Sequence, residues 1–188
     1  AANSNLNPPA AVFATGTLTP TANPNTVNYN GAAAANQTVK GTTYHHLTVT
    51  RGASNVALIN AATTVNGNLS VVSGTSELQG VNVTVNGTTV VIGTLTFTTS
   101  AVGVKTFVGA VTINGSGSWT NVINEGVTFQ GGLTHNGTIF TSGTGVYLFD
   151  TNNQNIGGSS ALSITNMTVN VTTLTNTGTL TAATSLLG

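Results

Sequence analysis

One phrase recurs along this chain of 188 residues: a short run alternating apolar and polar residues, closed by Asn-Gly. It lies at residues 64–67, 84–87, 112–115 and 134–137, with a variant at 175–178. Successive copies begin about 20, 28, 22 and 41 residues apart. Returns at a near-constant spacing are typical of stacked repeats. The phrase therefore predicts coils of roughly 20 residues, some carrying insertions.

The local pattern predicts strands almost throughout. Residues 81–85, 95–98 and 167–169 alternate apolar and polar side chains with the period of two that belongs to a half-buried strand. No segment has a helical period of useful length. Asn-Gly suits both an antiparallel hairpin and a corner between parallel strands. Coil-like spacing, small apolar residues and only 5% aromatics favour the parallel arrangement over a sandwich.

These observations predict an all-β fold, a right-handed parallel β-solenoid (β-helix) of about eight or nine coils, with a β-sandwich as the alternative. All four prolines lie in the first 25 residues, and proline is confined to strand edges and irregular segments. We therefore expect residues 1–25 to form an irregular or edge start, or a junction coil. Residues 26–188 are expected to form the solenoid coils.

The phrases at 36–44, 64–70 and 93–97 resemble the Thr/Asn/Gly-rich tandem repeats of giant bacterial surface proteins found in Bacteroidota and environmental genomes. The likeness covers roughly residues 15–188 and is one of composition. It implies an exported β-solenoid adhesin or extracellular fibre. Those repeats have no defining catalytic motif, so the resemblance implies no functional residue in this chain.

Charge is nearly absent. The chain has three basic and three acidic residues and no net charge; they are Lys40, Arg51, Lys105, Glu77, Glu125 and Asp150. Such a chain has no positive field to attract nucleic acid or an anionic membrane surface. It has no apolar run long enough to span a bilayer, and no cysteine for a disulfide or a thiolate metal site. We expect an extracellular or cell-surface location.

The acidic residues argue against a polysaccharide-cleaving β-helix, because that chemistry needs carboxylates gathered in one groove. Here they are single and far apart. Glu125 follows Lys105 by about one coil, so the two are expected to stack as a structural ion pair between rungs, worth less than about 1 kcal/mol if exposed. We predict no catalytic residue and no enzymatic activity.

Metal and cofactor sites are not expected. His45 and His46 are adjacent, and adjacent strand residues point to opposite faces. They could bind a metal with His135 and Asp150 only if the fold gathered all four. Trp119 and Tyr147 are candidate sugar-binding aromatics, although single aromatic residues more often pack in the core. Asn-x-Ser/Thr sequons occur at Asn36, Asn68, Asn82, Asn86, Asn114, Asn136, Asn166 and Asn170.

Thr-x-Thr phrases offer a different kind of surface, and about a fifth of the chain is Thr. Both Thr of one phrase face the same side of a strand. Stacked on successive rungs they would form a flat hydroxyl array suited to an adhesive or ice-binding face. The phrases lie at 17–19, 48–50, 94–96, 96–98, 173–175 and 179–181.

The sequence therefore predicts a structural repeat unit of an extracellular filament or long surface adhesin. Residues 178–188 stay strand-like and apolar, and Gly-Thr-Leu-Thr recurs at 16–19, 93–96 and 178–181. We expect the last coil to continue into the first coil of another copy, covalently or head to tail. The expected partners are further copies of the repeat and surface glycans. A surface-recognition module and a carbohydrate-active enzyme are the alternatives.

Overall fold

A computed structural model describes residues 3–6, 21, 24–31, 36–52, 54–99, 103–183 and 186–187. In this part of the chain the regular structure is all strand, with no helix, and every strand pairing is parallel. The parallel sheets stack as a β-solenoid, which confirms the predicted fold class. Parallel pairing excludes the alternative, a sandwich of antiparallel neighbours.

Three long sheets run along the solenoid. Sheet 1 contains β1 (Asn3–Leu6), β2 (Thr26–Tyr29), β5 (His46–Thr50), β8 (Leu69–Ser73), β11 (Thr89–Val91), β14 (Val111–Asn114), β17 (Leu133–Asn136), β20 (Gln154–Gly157) and β23 (Leu174–Asn176). Sheet 2 contains β3 (Gln37–Thr38), β6 (Val56–Ile59), β9 (Thr75–Leu78), β12 (Thr94–Phe97), β15 (Ser118–Asn121) and β18 (Ile139–Thr141).

Sheet 3 contains β4 (Thr43–Tyr44), β7 (Thr63–Val65), β10 (Val83–Val85), β13 (Lys105–Phe107), β16 (Val127–Phe129), β19 (Val146–Asp150), β22 (Asn166–Asn170) and β25 (Leu186–Leu187). A short pair, β21 (Leu162–Ile164) and β24 (Leu180–Ala182), takes the place of sheet 2 in the last two coils. Each coil passes through sheets 1, 2 and 3 in turn. Eight coils of the described chain pass through all three sides and β1 adds one more rung to sheet 1, which makes about seven turns from the first complete coil to the last.

Alternation along each strand builds the core. Strands such as β7, β10 and β16 bury their first and last residues and expose the middle one in part. In-register stacking then brings buried residues into columns, as for Val91 above Val71 in sheet 1. Small and β-branched side chains suit this narrow interior, because each strand contributes only two of them per coil.

The alternation of apolar and polar residues predicts that twelve apolar side chains point inward, and most of them do. The fully buried members are Leu69, Val83, Val85, Leu95, Phe97, Ile113, Phe129 and Met167. Phe140, Val169 and Leu180 are only partly buried and pack against the core. Leu148 was assigned to the core wrongly: it lies on the outer face of β19, while its neighbours Tyr147 and Phe149 point inward. Alternation in this strand thus has the opposite phase to the one predicted.

The Asn-Gly phrases lie at corners, as predicted, but at two different ones. Asn66 and Asn86 follow sheet 3, whereas Asn114 and Asn136 end strands of sheet 1. Within each corner the amides stack: Asn86 Nδ2 donates to Asn66 Oδ1 at 3.1 Å, and Asn136 Nδ2 donates to Asn114 Oδ1 at 3.1 Å. The interval of about 28 residues between the phrases at 84–87 and 112–115 is therefore one full coil plus one further side of the solenoid. It is not a coil that carries an insertion.

The start of the chain is described in part. Within residues 1–25, β1 pairs in parallel with β2, so a first rung of sheet 1 exists there. The remainder of the expected irregular start, with the phrase at 16–19, lies largely outside the described residues. From β2 onward the described strands follow one another through the three sheets.

Candidate functional site: a buried polar cluster and an apolar last coil

Lys105 and Glu125 form a salt bridge inside the solenoid, with both side chains at most 1% exposed. Lys105 begins β13, and Glu125 lies one coil further on, in the turn between β15 and β16. The predicted ion pair between rungs is thus confirmed. Its surroundings are not those of an exposed pair, so the weak energy expected for a solvated pair does not apply here.

Three more polar groups complete the cluster. Asn121, at the end of β15, donates from Nδ2 to the backbone oxygen of Glu125 at 2.9 Å and to the Tyr147 hydroxyl at 3.3 Å. The same hydroxyl accepts a hydrogen bond from Trp119 Nε1 at 2.8 Å. Trp119 and Tyr147 are fully buried, so they pack in the core, the more common role of single aromatic residues, and are not placed to bind sugars at the surface. Their polar atoms are used within the core.

Aromatic rings enclose this cluster. Trp119 stacks against Phe140 at a centroid distance of 6.1 Å and lies 5.6 Å from Phe107 and 5.9 Å from Phe129. Burial raises the pKa of Tyr147, although its hydrogen bonds with Asn121 and Trp119 act in the opposite direction. The phenol therefore stays neutral at physiological pH. The result is a dry compartment in which one lysine and one carboxylate face each other.

Two acceptors of the cluster lack a hydrogen-bond donor. Glu125 Oε2 and Asn121 Oδ1 are both buried, and neither has a partner among the described residues. Buried polar atoms are almost always paired, and an unpaired one costs about 1–3 kcal/mol. Two unpaired acceptors in one cluster are therefore an unusual feature that requires an explanation.

The other acidic residues lie elsewhere. Glu77 is on β9, where it accepts hydrogen bonds from Thr98 and Gln79. Asp150 ends β19 and accepts from Asn170 Nδ2 at 3.0 Å. Hydrogen bonds therefore tie these two carboxylates to local polar side chains, and Glu125 is enclosed in the core. The described residues thus present no groove in which two of the three face a common substrate.

The fold brings His45 and His46 into contact and places His135 elsewhere, in β17. His45 lies in the bend between β4 and β5, so the expectation of opposite faces is wrong: its ring meets that of His46 edge-on, with centroids 4.3 Å apart. Desolvation, and secondarily the neighbouring His45, lower the pKa of His46. His135 is buried in β17, and burial lowers its pKa. The described chain has no group of three or more His, Cys, Asp and Glu side chains placed to hold a metal.

The Thr-x-Thr phrases do not align into one array. Residues 48–50 lie in sheet 1, 94–98 in sheet 2 and 173–175 at the start of β23, while 17–19 lies outside the described residues. A Thr column does form on the outer face of sheet 3, from residues on five successive rungs: Thr43, Thr64, Thr84, Thr106 and Thr128. Sequence spacing within one strand could not predict it, since the column has one Thr per coil.

The last coil differs from all others in burial. Of residues 171–183, none is buried, although β23 and β24 continue the register of β20 and β21. A cavity of about 370 Å³ lies here. Its apolar lining comes from Ile156, Met167, Val169, Val171, Leu174 and Leu180. The described chain thus has an apolar, incompletely covered surface at one end of its core.

Membrane-spanning helices are not found among the described residues. Comparisons with protein-family models, with curated proteins and with solved structures find no match.

Sequence reasoning found the Lys105–Glu125 pair but missed its burial and missed Asn121. A signal was present. In Lys105-Thr106-Phe107 the aromatic residue faces the core, so the lysine two positions earlier shares that face. The strand Ser118–Asn121 places Trp119 and Asn121 on one face by the same rule.

Proposed function

We propose that this chain is a structural repeat unit of an extracellular filament or long surface adhesin, stacking end to end with further copies. The observation that carries the proposal is the last coil, where the backbone pattern of the solenoid continues while its apolar side chains remain uncovered. A further rung placed on β23 and β24 would cover Leu174 and Leu180. The chain itself offers such rungs, because every coil has the same construction.

The mechanical properties of the rod support this role. Each coil is held to the next through parallel pairing in three sheets, so a load along the axis is shared by every ladder. Open sheet ends template further strand pairing. A contact between the last coil of one copy and the first coil of another is heterologous and does not close, and such contacts make filaments.

Surface recognition is the second candidate, and the Thr column on sheet 3 favours it. Its hydroxyls repeat once per coil, at the spacing of about 4.8 Å between neighbouring strands. A single column of hydroxyls is a narrow contact surface, so we expect it to bind surface glycans along the rod rather than a planar lattice. Carbohydrate cleavage is disfavoured, because the carboxylates are not gathered.

The test is the assembly state of the purified chain as its concentration increases. Electron microscopy and sedimentation velocity should detect head-to-tail filaments, and Leu180→Lys should abolish them by placing a charge on the apolar end. Thr106→Lys is the matched control: it adds the same charge to the outer face of sheet 3 and should leave assembly unchanged. Single particles at every concentration would refute the proposal, as would filaments that persist in Leu180→Lys.

A further inference from the structure

The buried cluster of Lys105, Asn121 and Glu125 combines three groups that can react with one another. An amine is held beside a carboxyl group, and a carboxamide lies against the same glutamate. All three side chains are at most 1% exposed. We propose that Lys105 and Asn121 form an intramolecular amide cross-link, with Glu125 as the proton carrier.

The two unpaired acceptors give the first step. A proton on Glu125 Oε2 would convert that atom from an acceptor into a donor, and Asn121 Oδ1 is the acceptor in the same cluster that lacks a donor. Lys105 is the source of this proton: its ammonium group donates to Oε1 of the same carboxyl group, and rotation of that group about its Cγ–Cδ bond then brings the protonated oxygen to the Oε2 position. The transfer replaces two charges in the core with two neutral groups.

Proton transfer also creates the reactants. A neutral Nζ has a free lone pair and is a nucleophile, whereas an ammonium is not. A hydrogen bond from the carboxylic acid to Asn121 Oδ1 polarises the amide carbon and stabilises the negative charge that develops on that oxygen during attack. Both groups are held against Glu125, Lys105 through the salt bridge and Asn121 through its hydrogen bond to the backbone oxygen, and this supplies proximity that a free amine and amide lack in solution.

The reaction balances within the chain. The Nζ lone pair adds to Cγ of Asn121, forming the new C–N bond, while the C=O electron pair moves to Oδ1. Glu125 carries one Nζ proton to Nδ2, the carbonyl re-forms, the Cγ–Nδ2 bond breaks, and ammonia leaves. Ammonia takes up the first proton and departs as ammonium, which regenerates the Glu125 carboxylate. No external reactant is needed.

The surrounding aromatic residues keep water away from this chemistry. Trp119, Phe107, Phe129 and Tyr147 enclose the compartment, with neighbouring ring centroids 5.6–5.9 Å apart. Excluding water strengthens the electrostatic interactions and prevents hydrolysis of the polarised amide. Tyr147 has a second effect: its hydroxyl accepts from Nδ2 and orients the carboxamide that is to be attacked.

The product would tie neighbouring rungs together covalently. Lys105 belongs to the coil of β11, β12 and β13, and Asn121 to the next coil of β14, β15 and β16. Hydrogen bonds alone join these coils in the sheets. An amide bond between them would resist separation of the rungs under axial load and would persist in denaturant.

Protease digestion of the denatured chain tests the cross-link directly. The chain has three trypsin sites, after Lys40, Arg51 and Lys105, and a glutamate-specific protease cleaves after Glu77 and Glu125. An unlinked chain gives separate fragments 78–105 and 106–125. The linked chain gives one fragment, 78–125, lighter than its calculated mass by one ammonia and uncut after Lys105. Fragmentation spectra should place the branch between Lys105 and Asn121.

The mass loss alone does not identify the cross-link, because Asn-Gly sequences such as Asn86-Gly87 can also lose ammonia by cyclisation. That reaction leaves cleavage after Lys105 intact. Resistance to trypsin after Lys105 is therefore the second sign that is required. Lys105→Met and Glu125→Gln should each give a chain of full calculated mass. Asn121→Asp should lose one water in place of ammonia, which identifies residue 121 as the acyl donor.

Glu77→Gln is the matched control, because it removes a carboxyl group that takes no part in the cluster, and it should cross-link like the parent chain. Circular dichroism checks that each variant remains folded. Complete cleavage after Lys105 in the folded and incubated parent chain would overturn the proposal. If Glu125→Gln still loses ammonia and shows the same branch, Glu125 is not the proton carrier. If Asn121→Asp loses ammonia rather than water, Asn121 is not the acyl donor.

Discussion

The middle coils and the last coil follow the same strand pattern but bury it to very different degrees. Leu162 of β21 is 1% exposed, whereas Leu180, its in-register partner in β24, is half-buried. Both are leucines at the first position of a short strand. They differ in what stacks on them: Leu162 has described rungs on both sides, and Leu180 on one. In a solenoid, burial is therefore a property of the stack more than of the sequence of one coil.

Having a rung on both sides also determines where the chain can hold charged side chains in its interior. Lys105 and Glu125 lie among aromatic rings in the middle coils, where each has a coil above and below. A buried pair of this kind is stable only when its groups stay paired. The last coil has apolar residues at its inward positions and offers no such enclosure.

Truncating a core aromatic residue should give the largest difference between the two regions. Phe129→Ala is expected to lower the free energy of unfolding by about 3–5 kcal/mol, because the cavity would be closed on both sides by neighbouring rungs. Leu180→Ala should cost about 1 kcal/mol or less, because its side chain is already half solvated. Urea unfolding curves measure both. Equal losses would show that the last coil is as well packed as the middle.

Breaking the buried ion pair is the next largest effect. Lys105→Met should lower the free energy of unfolding by about 3–5 kcal/mol, because it leaves the Glu125 carboxylate unpaired in the core. Adding Glu125→Leu should recover most of this loss, because no charge then remains to be buried. Neither variant can form the amide bond, so the difference between them reports the cost of burying an unpaired carboxylate. A double variant as unstable as the single one would contradict this account.

Close stacking at the corners gives a smaller effect. A Cβ on Gly87 would run into the backbone of Gly67 on the rung below, whereas a Cβ on Gly126 meets only Val146 O, at 3.5 Å. Gly87→Ala should therefore cost about 1–3 kcal/mol, while Gly126→Ala should be nearly neutral. Thermal unfolding midpoints of the two variants check this. If both variants lose little stability, the backbone at the corners can shift to make room for the added methyl group.

The smallest effect concerns pH. Burial lowers the pKa of His135, so the folded chain binds fewer protons than the unfolded chain below the ordinary histidine value of about 6.5. Stability should therefore fall as the pH drops below about 6.5, and level off once the folded-state pKa is passed. His135→Gln should reduce this slope. His46, whose pKa is also lowered, should account for part of what remains; a slope unchanged in His135→Gln would contradict the account.

Much of the fold could be predicted from the sequence because its determinants are local. The period of two gave the strands, and the Asn-Gly spacing gave the coil length. The phase of β19 could not be predicted, since Val146, Tyr147, Leu148 and Phe149 are all apolar and alternation is undefined there. The site was harder still: Asn121 contacts Glu125 within one coil, but Asn121 meets Tyr147, and Glu125 meets Lys105, only because successive coils stack in register.

The most direct test of the central claim compares hydrogen exchange in the two regions as assembly proceeds. In the free chain, amides of β14 to β19 should be strongly protected, and those of β23 and β24 should exchange fast. When the concentration is raised into the filament regime, the account predicts that β23 and β24 gain the protection of the middle coils. Exchange in β23 and β24 that stays fast in assembled material would contradict end-to-end stacking of this chain.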